Sequence, residues 1–129
     1  MEVATFEERS LFLEIKNGVL YGEYKDDLVM TLPVAQEMVN KRLEFQRKNN
    51  YSFIPMIAKI NIKYLNKEAR EYLAVEGVKG LNAAAFITNS MVSRILLKIF
   101  FAVEKPPIPV AVFENEKSAV AWIKKLAIE

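Results

Sequence analysis

The stretch Leu11-Phe12-Leu13-Glu14-Ile15-Lys16-Asn17-Gly18-Val19-Leu20-Tyr21-Gly22-Glu23-Tyr24 sets the start of the fold. Leu11, Leu13 and Ile15 alternate with Phe12, Glu14 and Lys16, the two-residue period of a half-buried strand. A second such run begins at Val19. Between them stands Asn17-Gly18, two residues that accept the positive φ a tight turn needs, so the segment predicts an antiparallel hairpin.

Downstream the pattern changes from period two to alternation of strands and helices. Asp26-Asp27 reads as a turn that ends the hairpin. Thr31 offers an N-cap, with Pro33 in the first helical turn, where its missing N–H costs nothing. That helix runs to about Lys48, with Ala35, Met38, Val39 and Leu43 inward. Phe53 to Ile62 reads as a buried strand, and Asn66 caps a helix from Lys67 to about Glu76. Leu81 to Thr88 is the next strand, its Ala83-Ala84-Ala85 implying a close neighbour. Asn89 or Ser90 caps a third helix, Met91 to about Val103. Pro106, Pro107 and Pro109 lead into a strand from Val110 to Phe113, and Asn115 caps the last helix. The expectation is one α/β domain over residues 1–129, with a mixed sheet of about five strands and four helices. The hairpin would be followed by right-handed βαβ crossovers.

Composition narrows the chemistry. No histidine and no cysteine are present, which removes Ser-His-Asp and Cys-His nucleophile systems, Cys/His zinc sites and thiol redox chemistry. Asp26 and Asp27 are the only aspartates, and two neighbours cannot fill a metal's coordination shell. Gly77-Val78-Lys79-Gly80 matches neither the dinucleotide-binding nor the P-loop pattern, and reads as a helix stop. Fourteen glutamates leave a carboxylate pair available, yet no spacing selects one. The chain therefore reads as non-enzymatic, without metal or cofactor. Eighteen Lys/Arg against sixteen Asp/Glu give a net charge of +2, too weak a field to gather nucleic acid. The absence of cysteine favours a cytoplasmic protein. The acidic N-terminus does not read as a signal peptide, and Met91–Val103, broken by Arg94 and Lys98, is too short to span a bilayer.

Two groups of residues stand out. Lys59, Lys63, Lys67 and Arg70 recur about every fourth position, around a helix start that could hold an anion; the alternative is a solvated edge. The third helix is the larger anomaly. Val92, Ile95, Leu96, Ile99, Phe100 and Val103 make one broad apolar face, expected to be the core face. Leu97 and Phe101 then fall beside Arg94 and Lys98 at the edge of the wet side. They would leave on the order of 200 Å² uncovered unless another segment or a partner covers them. Arg94, Leu97, Lys98 and Phe101 are thus candidates for an interface, most simply that of a homodimer.

The order of elements, the segment Tyr64-Leu65-Asn66-Lys67-Glu68-Ala69-Arg70-Glu71-Tyr72-Leu73 and the ending Pro109-Val110-Ala111-Val112-Phe113…Ala119-Val120-Ala121-Trp122-Ile123 resemble the STAS-like group. Within it the chain is similar to bacterial SpoIIAA-like relatives of the anti-anti-sigma-factor antagonists, over almost its whole length from Phe6. The resemblance implies a small α/β regulatory or scaffold domain that works by binding protein. It also implies a phosphorylated serine at the helix following the central strand. The matching stretch, Lys63 to Glu68, contains neither Ser nor Thr, so that switch does not carry over. Asn61, Lys63, Asn66 and Lys67 remain as weaker loop or anion-binding candidates. The alternative function is binding of a small apolar or anionic, lipid-like ligand in a cleft beside the third helix.

Overall fold

The computed structural model describes residues 3–128; Met1 and Glu2 of the acidic N-terminal stretch, and Glu129, lie outside the described residues. Among the described residues six strands form a single sheet in the order of the chain: β1 (Ala4–Glu7), β2 (Leu11–Lys16), β3 (Val19–Met30), β4 (Ile54–Leu65), β5 (Leu81–Ile87) and β6 (Val110–Phe113). The first two pairings are antiparallel and the remaining three parallel. Four helices accompany them: α1 (Leu32–Lys48), α2 (Lys67–Val75), α3 (Met91–Glu104) and α4 (Glu116–Ile128). A single 3-10 turn, Glu76–Val78, follows α2.

The hairpin forms as its sequence demands. Asn17 and Gly18 both take positive φ, 55° and 73°, and Lys16 pairs with Val19 across the turn. Two features of the sheet differ from the sequence expectation. The strand count is six, because Ala4–Glu7 adds to β2 as an edge strand. Four residues with one inward aromatic, Phe6, carry little signal of their own; pairing and the contact of Phe6 with Phe45 hold them. Asp26-Asp27 is not a turn either. β3 continues through it to Met30, and the ladder to β4 absorbs the segment as an irregularity between Glu23–Lys59 and Asp27–Asn61. Such a bulge lets a strand carry exposed carboxylates without breaking its pairing.

Alternation along β4 divides the core. Ile54, Met56, Ala58, Ile60 and Ile62 face α1, α2 and α3, whereas Ile57 faces α4. The three crossover helices therefore share one face of the sheet. On the other face α4 packs Ala119 and Ile123 against Ala83, Ala85 and Ile87, with the Trp122 ring tilted against Phe113. The alanine run serves both sides: Ala84 belongs to the first face, Ala83 and Ala85 to the second. Capping follows the sequence at three starts, where Asn66 Oδ1 accepts from Ala69 N–H, Ser90 Oγ from Ser93 N–H and Asn115 Oδ1 from Ser118 N–H.

Candidate interaction surface

Helix α3 begins at its Ser90 cap and is apolar over most of its circumference, so periodicity alone leaves its rotation open. Polar contacts decide it. The buried Ser93 hydroxyl accepts from Ile62 N–H at 2.9 Å, satisfying a donor in the irregular part of β4. Arg94 is paired with Glu114 at 2.7 Å, and Glu104 with Arg70 at 2.6 Å. These ties fix Leu97 and Phe100 inward. Phe101 lies half-buried, with its ring centroid 5.4 Å from Phe86 and 5.1 Å from Phe100.

The orientation is the reverse of the sequence expectation. Leu97 is only 1% exposed and belongs to the core with Met30, Ile60 and Ile62, so it cannot contact a partner directly. Phe101 is spent largely on the aromatic cluster. Residues expected inside point out instead: Val92 is 56% exposed, Ile95 and Ile99 50% each, and Val103 58%, joined on the same side by Met91 at 74%. Of the expected core face, only Phe100 is buried, and Leu96 half so. Lys98 is exposed, and with Arg94 it borders the outward stripe on one flank. The apolar face is thus present on this helix, but it is built from other side chains.

Residues 13–127, nearly the whole chain, match the family of the domain of unknown function DUF7793. The chain belongs to the DUF7793 family. No curated protein matches it. Among solved structures it is similar to a protein of the DUF3478 family with a SpoIIAA-like fold from Shewanella loihica PV-4. The TM-score is 0.54 at 13% identity, covering 94% of this chain and 91% of that one. The likeness shows the fold, which is STAS-like as the sequence resemblance implied.

In this DUF7793 chain the loop candidates do not converge on one site. Asn61 Oδ1 accepts from the buried Thr88 hydroxyl at 2.6 Å, and Asn66 is occupied as the α2 cap. Lys63 and Lys67 are exposed. The basic series is also dispersed, since Lys59 lies 3.7 Å from Glu116 on the α4 side while Arg70 turns to Glu104 on α3. A polar cleft of about 390 Å³ does open near the carboxyl ends of the parallel strands, where α/β sheets commonly receive ligands. Its Lys59, Asn61 and Thr88 are engaged with their neighbours. Among the described residues no three acidic, histidine or cysteine side chains gather as a metal site, and no helix is long and apolar enough to cross a membrane.

Sequence reasoning missed a buried polar network on α1. Arg42 and Gln46 lie on the stripe Ala35, Val39, Arg42, Phe45, Gln46, whose three- and four-residue spacing was readable in the sequence. Arg42 Nη1 donates to Gln46 Oε1 at 2.5 Å and Nη2 to Gly77 C=O at 3.0 Å. Gln46 Nε2 donates onward to Gly80 C=O. Gly80 takes φ 77°, and a Cβ there would stand 2.9 Å from the Gln46 amide, so this position requires glycine. Burial pushes the Arg42 guanidinium down from its ordinary value. Burial also pushes the Tyr24 phenol up to about 12, against an opposing pull from Arg42.

Proposed function

We propose that this domain is a non-enzymatic regulatory or scaffold unit acting by protein–protein contact, with the outward face of α3 as its working surface. The observation that carries the reading is the row Met91, Val92, Ile95, Ile99 and Val103, each at least half exposed on one helix. A surface helix normally turns its polar side to water, and a helix apolar all round is normally covered. A contiguous row of five such side chains exceeds what a monomer's surface usually leaves open without a use. The SpoIIAA-like fold supports the same reading through the partner-binding habit that the sequence resemblance implies.

The first occupant is a second copy of this chain. A two-fold interface sets one patch against itself. With the two helices parallel, the basic flank of one copy, Arg94 and Lys98, meets the apolar flank of the other, Leu96 and Val103. Antiparallel pairing would bring Lys98 to Lys98. The test is light scattering coupled to size-exclusion chromatography at tens of micromolar. The wild type is expected to run as a dimer, and Ile95→Asp with Ile99→Asp as a monomer of unchanged circular dichroism. A wild-type monomer at that concentration would remove self-association.

A further inference from the structure

A second feature, independent of what covers α3, is the placement of Arg42. The residue is 3% exposed, in the layer between α1 and the sheet. A guanidinium carries five N–H donors and keeps its charge in proteins. Its two hydrogen bonds end on neutral oxygens, those of Gln46 and Gly77. The ionisable groups that face it are the phenols of Tyr24 and Tyr72, and no carboxylate among the described residues pairs with it. Buried charges in proteins are ordinarily matched by an opposite charge. Among the described residues that match is missing.

Arg42 also lines a partly open, largely apolar cavity of about 80 Å³ behind α3, bounded by Tyr24, Met30, Met38, Met56, Leu97 and Phe101. The cavity is far below the roughly 300 Å³ that a drug-sized ligand fills. An apolar cavity of about 150 Å³ holds benzene, so this one has room for a few heavy atoms. Three methionines in the wall supply flexible, polarisable surface that adjusts to a small guest. A planar guanidinium matches a carboxylate through two parallel N–H···O bonds. The absence of a second cation from an otherwise apolar wall disfavours a phosphate dianion.

We propose that this cavity binds a short aliphatic monocarboxylate, its carboxylate paired with Arg42 and its alkyl end set among the methionines. Tyr24, whose phenol stays protonated at neutral pH, supplies a further donor for the same anion.

The experiment is a thermal-shift and ligand-observed NMR titration of the full chain with acetate, acetamide and inorganic phosphate, each to millimolar concentration. Acetate is expected to raise Tm and to bind at least about ten-fold tighter than its neutral isostere acetamide. Phosphate is expected to bind no better than buffer ions. Arg42→Met, which keeps the volume and removes the charge, should abolish the preference for acetate over acetamide. Equal binding of acetate and acetamide by the wild type would overturn the site, and that comparison stands even if the variant does not fold. So would tighter binding of phosphate than acetate, or the absence of any carboxylate binding. Oligomeric state has no part in the readout.

Discussion

Helices α1 and α3 pack on the same face of one sheet and depart from ordinary amphipathicity in opposite senses. The outer side of α1 is polar, with Gln36, Glu37, Asn40, Glu44 and Arg47 in water and Glu37 paired to the half-buried Lys41 one turn on. Its inner side holds a charge. The outer side of α3 is aliphatic, and its inner side holds a serine hydroxyl and an aromatic pair. One helix is finished toward solvent and unfinished toward the interior; the other is the reverse. Each departure marks a place where the described residues leave something unmatched, and the guests proposed for the two differ, a protein surface for α3 and a small anion for the α1 side.

The sharpest way to break this contrast is to place the same charge on both sides of α3. Leu97→Asp should cost more than about 4 kcal/mol, since it buries an unpaired carboxylate in a filled site. Ile99→Asp should change the monomer's stability by less than about 0.5 kcal/mol. Urea unfolding monitored by circular dichroism compares them, and equal losses would mean that the outer face is not free.

A smaller effect tests the interior of the α1 side. Tyr24 has a folded-state pKa of about 12 against an ordinary value of 10.0. The raised value means that the unfolded chain gives up the proton first. The stability linked to the neutral phenol is therefore complete below pH 10 and drains away as pH climbs toward 12. The loss amounts to about 2–3 kcal/mol. Urea midpoints across that range should fall for the wild type and fall by less for Tyr24→Phe; parallel curves would place the phenol in water.

The smallest effect separates the helix starts. Ser90 Oγ accepts from Ser93 N–H, so Ser90→Ala should cost about 1 kcal/mol. Thr31 stands at the α1 N-cap without any side-chain capping bond, and Thr31→Ala should cost only a few tenths of that scale. Equal changes in urea midpoint would erase the distinction.

The parts of the fold that sequence disclosed are those set by neighbours in the chain. The Asn17-Gly18 turn and the Asn66, Ser90 and Asn115 caps need only a few adjacent residues to act. β1 and the continuation of β3 past Asp27 depend on pairing with strands elsewhere, and local patterning was silent or misleading there. The α3 surface was legible as an excess of apolar residues but not as a direction. With aliphatic side chains all round, rotation was left to Ser93 and two ion pairs, Arg94–Glu114 and Arg70–Glu104, whose partners the sequence does not reveal. Arg42 was visible on an inward stripe, whereas the lack of an acid opposite it could be seen only in three dimensions.

The order of strands in the sheet is the order in which they are made. No strand waits for a later one to be inserted beside it, and each new one lands on an edge already exposed. A nascent chain emerging from the ribosome can therefore grow its sheet from the amino end, adding one crossover at a time. Pairing each strand with its predecessor keeps every loop closure as short as its crossover allows, and leaves the three parallel pairings as the slower steps.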